Sequence, residues 1–303
     1  MNDPIIRAEG LAKKYPRKTA LDGLTFTLPG DGITGLVGRN GAGKTTLMKL
    51  CAGMLNKTGG TIQVFGGDPM DNLHVLSKLV YSHHELSFTK SLKLRQILEN
   101  HQIMLPTFDL EFAEKLLGYF DLDEKAKFSQ LSHGMTTTFR FVCGLASRVP
   151  LTLFDEPVLG MDIAVRKAAY EVLLREYAEH PRCFVISSHL LSEIEGVLSD
   201  ILLIDGGKLL LHQSMEELHQ SAYRLEGEPD ALDKFNQGRN VIWRTNGETG
   251  SAAVIYEKAD EEAAENAARL GLRLSAVRAE DLCVYLTREN KEEELSCLWQ
   301  KAN

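Results

Sequence analysis

Eight consecutive residues, Gly38-Arg39-Asn40-Gly41-Ala42-Gly43-Lys44-Thr45, follow the pattern G-x-x-x-x-G-K-[ST], and each residue type in it has a chemical reason. Glycines let successive backbone N–H groups converge on phosphate oxygens, and a helix beginning at Lys44 adds the positive end of its dipole. Lys44 then reaches the β- and γ-phosphates of a nucleotide, with Thr46 alongside, while the Thr45 hydroxyl suits Mg²⁺. A second constellation, Asp155-Glu156, closes the apolar run LTLFDEP (151–157). Adjacent carboxylates at a strand end are costly to enclose unless a cation and a polar reaction need them. Asp155 fits water-mediated support of Mg²⁺, and Glu156 fits a general base that polarises an attacking water. The plainer reading is a solvated acid pair before a turn proline; the phosphate cradle in the same chain favours the chemical one.

The elements that must carry these residues are legible as alternating strands and helices. IIRAEGLAKKY and TALDGLTFTL read as strands bounded by Pro16 and Pro29, and ITGLVG (33–38) as a buried strand running into the glycine loop. KTTLMKLCAGML (44–55) has helical spacing, with Leu47, Leu50 and Met54 on one face. TIQVFG, LVYS, LTLFD, CFVISSH and the pair ILLID/KLLLHQ around Gly206-Gly207 supply further strands, with RKAAYEVLLREYAEH as a helix between two of them. This alternation implies an α/β fold on a parallel sheet. A helical insertion at about 88–148, including LKLRQILENHQIM and LEFAEKLLGYF, interrupts it.

Composition shifts near residue 222, which sets the expected domains at 1–221 and 222–303. The second part carries strand-like YRLEGE, a helix at 230–236, VIWRT and SAAVIYEK about the turn TNGETG, and an amphipathic helix at 260–270. LRLSAVR and DLCVYLTR follow, and the acidic helix KEEELSCLWQ ends the chain, giving a small α+β appendage. It holds 11 Lys and Arg against 16 Asp and Glu, so –5 of the net charge of –8 lies there.

That acidic balance disfavours a nucleic-acid partner, which needs clustered cations. No stretch approaches the roughly 20 apolar residues that span a bilayer, and MNDPIIRAEG lacks the layout of a signal peptide, so a cytoplasmic protein is expected. The five cysteines are scattered without a CxxC pair and are expected to be small buried residues.

With these motifs in hand, residues 5–220 resemble the ATP-binding subunits of ABC transporters. LSHGM (131–135) resembles the family's LSGGQ signature, VLGMD (158–162) its D-loop with Asp162, and ISSHLLSEIE its switch region with His189. KKYPRKTALDGLTF resembles the A-loop region, with Tyr15 as the aromatic that stacks on adenine. The resemblance implies a P-loop NTPase of ABC type: a mixed sheet core, an antiparallel β subdomain and a helical subdomain. It also implies a peripheral position on the inner membrane face, driving transport through a separate integral membrane subunit. Two ATP-binding subunits, as homodimer or heterodimer, would face head to tail, with Ser132, His133 and Gly134 of one touching the ATP held by the other. Each carried-over residue has an ordinary alternative: Tyr15 as a strand aromatic, Ser132 as a helix N-cap only, His189 as a turn histidine.

The sequence departs from the family in two places. The usual Y-x-P-Q of the Q-loop is Tyr81-Ser82-His83-His84, so His84 stands where a Gln reaches Mg²⁺ and water; the pair reads equally as a polar loop. The signature keeps Gly134 but carries His133 and Met135. LSHGM is similar to the LSKGM form of Gram-positive drug- and bacteriocin-export subunits, which points to export. A regulatory or weakly hydrolysing cassette, and a non-transport ATPase of the same type, stay open as alternatives.

Overall fold

The computed structural model describes residues 4–247 and 250–287, so the expected helix KEEELSCLWQ lies outside the described residues. In chain order the first elements are strands β1 (Ile6–Tyr15), β2 (Lys18–Leu28) and β3 (Gly32–Val37), helix α1 (Lys44–Cys51) and strand β4 (Gly59–Val64). Helix α2 (Leu73–Leu76) and strand β5 (Leu79–His83) lead to helices α3 (Leu94–Met104), α4 (Leu110–Tyr119) and α5 (His133–Ala146). Strand β6 (Leu151–Asp155), helix α6 (Ile163–Glu179), strand β7 (Cys183–Ser188), helix α7 (Leu191–Ile194) and strands β8 (Asp200–Asp205) and β9 (Lys208–Ser214) follow.

The central sheet has six strands in the order β5-β6-β7-β3-β8-β9, with β5 to β8 pairing in parallel. β3, β6 and β7 are buried along their whole length, which is why they read as unbroken apolar runs rather than alternating ones. β9 returns from β8 through the Gly206-Gly207 turn and adds a hairpin edge. A separate antiparallel sheet, β2-β1-β4, shares a core with α1. Leu11, Leu21 and Val64 from it share one core with Leu47, Leu50, Leu153, Val185 and Ile204.

Helix α1 is shorter than its spacing predicts. Leu47 and Leu50 are buried, but Met54 is 53% exposed and lies beyond the helix. Ala52 caps the helix and Gly53 follows at φ +65°, a left-handed closure that ends the helical ladder.

Contacts divide the chain into two compact units, Met1–His212 and Gln213–Asn303. The second unit opens with helix α8 (Met215–Gln220) and continues with strand β10 (Tyr223–Gly227), helix α9 (Pro229–Asn236), strands β11 (Val241–Gly247) and β12 (Gly250–Ile255), helix α10 (Glu261–Arg269), strand β13 (Arg273–Ala276) and helix α11 (Ala279–Thr287). LRLSAVR thus contributes β13, and DLCVYLT falls in α11. Its sheet runs β11-β12-β10-β13, with antiparallel pairing throughout the described residues. With helices between β10 and β11 and between β12 and β13, this is the split β-α-β arrangement of ferredoxin-like domains. Tyr223, Leu225, Leu232, Phe235 and Ile255 form a core of its own.

Candidate functional site

The glycine loop joins β3 to α1, so the C-terminal end of a central parallel strand feeds a helix N-terminus, the usual ligand position in open α/β sheets. Gly43 sits at φ +113°, and a Cβ there would stand 2.6 Å from the Ala20 carbonyl oxygen; no other residue fits both constraints. A Cβ on Gly38 would collide with the Ile204 carbonyl. Gly38 and Ala42 are buried and underpin the loop, with Ala42 N–H donating to Arg39 O at 3.1 Å.

Lys44, 6% exposed, folds back across this loop. Its ammonium donates to Gly38 O at 2.6 Å and Arg39 O at 3.3 Å, and lies 4.0 Å from Glu156 Oε1. Burial pushes the Lys44 pKa down, and the charges of Glu156 and then Asp155 pull it back up. Arg39 and Asn40 are exposed at the loop tip.

β6 ends at Asp155, 2% exposed. Ser187 Oγ on β7 donates to Asp155 Oδ1 at 2.5 Å, and the Tyr81 hydroxyl on β5 donates to Oδ2 at 3.1 Å. Glu156 leaves the strand at φ +53°, a left-handed conformation that is costly for a non-glycine residue and tends to occur at functional sites. Its backbone N–H donates to Ser187 Oγ at 2.9 Å, and its Oε2 lies 2.9 Å from His189 Nδ1.

Lys44, Asp155, Glu156 and His189 line one cavity of about 450 Å³. Of the residues singled out by sequence, Tyr15, Asn40, Gly41, Gly43, Lys44, Thr45, Thr46, His84, Asp155, Glu156 and His189 border it. Tyr15 is 42% exposed at its rim, with Lys13 Nζ 5.2 Å from the ring centroid. Ser132, His133, Gly134 and Asp162 do not line the cavity. Ser132 caps α5 by accepting from Met135 N–H, and Asp162 caps α6 by accepting from Val165 N–H. The His133 ring lies against Gly160, and Thr137 Oγ1 donates to Leu159 O at 3.1 Å, so the start of α5 packs on its own D-loop segment.

Three residues at the site lie within segments that the sequence singles out for other residues. Lys18 borders the cavity and donates to Gly41 O at 3.1 Å; Tyr81 and Ser187 hold Asp155. Lys18 stands three residues beyond Tyr15, so the A-loop assignment is the one cue to it. His83 stacks on Tyr81 with ring centroids 4.6 Å apart, and burial, then the Lys49 charge, lowers its pKa.

Residues 21–159 match the family described as ABC transporter. The chain is 31% identical over 220 residues to the bacitracin transport ATP-binding protein BcrA of Enterococcus faecalis, covering 71% of each chain. The chain belongs to the ABC transporter ATP-binding family. It is also 29% identical over 228 residues to the Nod factor export ATP-binding protein I of Ralstonia nicotianae, across 71% of this chain and 68% of that protein. A solved structure of the ATP-binding subunit of an ABC transporter shares the fold, with TM-score 0.63 at 22% identity over 71% of this chain and 92% of the other. The chain is therefore an ATP-binding and ATP-hydrolysing subunit of an ABC transporter, a role that implies a membrane partner. Among the described residues, no helix is long and apolar enough to cross a membrane.

Proposed function

We propose that this chain drives export, hydrolysing ATP with Mg²⁺ at the cavity between the glycine loop and Asp155-Glu156, as one half of a head-to-tail dimer of ATP-binding subunits. The observation that carries this reading is the convergence of Lys44, Asp155, Glu156 and His189 on one cavity with Tyr15 at its rim. Backbone N–H groups of residues 41–45 and the Lys44 ammonium bind the β- and γ-phosphates, and Tyr15 stacks on adenine. Lys44 exchanges its loop carbonyl partners for phosphate oxygens, which carry full negative charge and bind an ammonium more strongly.

The oxygen donors present suit Mg²⁺, which favours one or two protein oxygens plus phosphates over an all-protein cage. Thr45 and Asp155 supply such donors at the same cavity. Magnesium, when bound, neutralises charge on the β- and γ-phosphates. His84 suits softer ions and fits better as an acceptor for water. Glu156 takes a proton from the attacking water, and His189, in contact with its Oε2, holds the carboxylate in place and donates to the γ-phosphate. Ser132, Gly134 and His133, at the start of α5, bind the γ-phosphate of the opposing subunit, next to the opposing Asp162 loop. The LSHGM signature and a relative named for Nod factor export favour export, from the inner face of the cell membrane and without nucleic acid.

The test is Mg²⁺-dependent phosphate release and ATP affinity in the purified chain and in Lys44→Ala. Loss of two charge-assisted phosphate contacts should weaken ATP about 10²–10³-fold. Unchanged affinity in the variant would defeat the cradle assignment. Tight ATP binding by the parent chain without hydrolysis would favour the regulatory-cassette reading instead.

A further inference from the structure

Asp155 is almost wholly enclosed, yet it must present a carboxylate to the cavity in one orientation. The strands on either side of β6 each aim one hydroxyl at it. In the parallel register Asp155 stands opposite Ser187 on β7 and opposite His83 on β5. Ser187 Oγ reaches Oδ1 at 2.5 Å, and the Tyr81 hydroxyl, entering from two residues earlier on β5, reaches Oδ2 at 3.1 Å. A carboxylate has about four acceptor positions; one donor on each oxygen fixes its rotation and leaves the others free toward the cavity that Asp155 lines.

We propose that Tyr81 is a positioning residue for Asp155: its hydroxyl, opposite that of Ser187, locks the carboxylate in the rotamer that supports magnesium nucleotide. This rests on the ATP and magnesium assignment made above. The phenol is itself oriented. Its ring stacks on His83 at 4.6 Å with an interplanar angle of 19°, and the next residue, His84, borders the same cavity. The plane of the clamp is therefore tied to the segment that leads into the Q-loop position.

Tyr81→Phe separates these contributions, because it keeps the ring and its stacking and removes only the donor. ATP affinity is measured in EDTA and in excess Mg²⁺, together with the Mg²⁺ concentration that half-saturates hydrolysis and the melting midpoint. The same measurements are made on Asp155→Asn and on the double variant. Losing one hydrogen bond to a charged group should raise the Mg²⁺ requirement of Tyr81→Phe roughly tenfold. Affinity in EDTA should stay within about twofold of the parent, and the double variant should respond like Asp155→Asn alone. A parental Mg²⁺ response in Tyr81→Phe overturns the proposal. So does an equal loss of affinity with and without Mg²⁺, which marks general damage to the site. If Asp155→Asn leaves the Mg²⁺ response intact, the carboxylate assignment itself falls, and the Tyr81 role with it.

Discussion

Replacing Glu156 by Gln separates two consequences that a simple loss of structure would not. The side chain keeps its size and its contact with His189 Nδ1, now 2.9 Å from Oε2, but it can no longer accept a proton from water. General-base catalysis is worth about 10²–10⁴ in rate, so phosphate release should fall by that factor at saturating ATP. Binding should move the other way. Glu156 Oε1 lies 4.0 Å from Lys44 Nζ, with side chains 18% and 7% exposed. Two unit charges at that separation attract by about 4 kcal/mol at an effective dielectric constant of 20. The γ-phosphate competes with Glu156 for the same ammonium and is also repelled by the carboxylate. Allowing for water at the cavity mouth, a net gain of about 1–2 kcal/mol remains, or ATP bound roughly 5–30-fold more tightly. Single-turnover phosphate release and equilibrium titration with a fluorescent ATP analogue read the two effects independently, and size-exclusion chromatography with ATP shows whether the tighter complex is a dimer. A variant that hydrolyses within about threefold of the parent would refute the general-base role, since that is under 1 kcal/mol of barrier. A folded variant with weaker ATP binding would refute the electrostatic argument.

Glu176→Ala should destabilise the first unit. Glu176, 4% exposed, accepts from Arg182 Nη1 at 3.0 Å and Arg148 Nε at 3.2 Å, and its removal leaves the buried Arg182 without its carboxylate, at a cost of about 3–5 kcal/mol. For a unit of that size the melting midpoint should drop by roughly 6–20 °C in scanning fluorimetry; a drop of under about 2 °C would show the network is relieved by water. Removing residues 222–303 should leave ATP hydrolysis within about threefold, because the two cores share no residue; a folded but inactive truncation would contradict that. Cys51 and Cys183 are pushed up to about 12 by burial, and Cys143 is raised further. Iodoacetamide at pH 8 should leave all three unmodified in the native protein and label them in denaturant, as read by peptide mass spectrometry.

The phosphate loop was legible because its chemistry lies in consecutive backbone amides, so residue type and order suffice. The same holds for Asp155-Glu156, neighbours on one strand end, and for the buried strands, whose apolar runs reflect cover on both faces. Helix α1 was over-extended because Met54 continues the 3.6-residue period, whereas Gly53 stops the backbone. Lys18, Tyr81 and Ser187 lie inside the A-loop, Q-loop and switch segments, yet the sequence shows no role for them, since a lysine, a tyrosine and a serine in strands are ordinary residues until the fold brings them to Gly41 and Asp155.

By itself the sequence determined which loop carries the glycines and Lys44 and which strand end carries the acids, because those features depend on local order along the chain. Tertiary structure alone decided that Tyr81 and Ser187 grip Asp155 from both sides, that His189 meets Glu156, and that the signature serine stays outside its own cavity. These hydrogen bonds join residues 32 to 74 positions apart, and only the packing order β5-β6-β7 makes them neighbours.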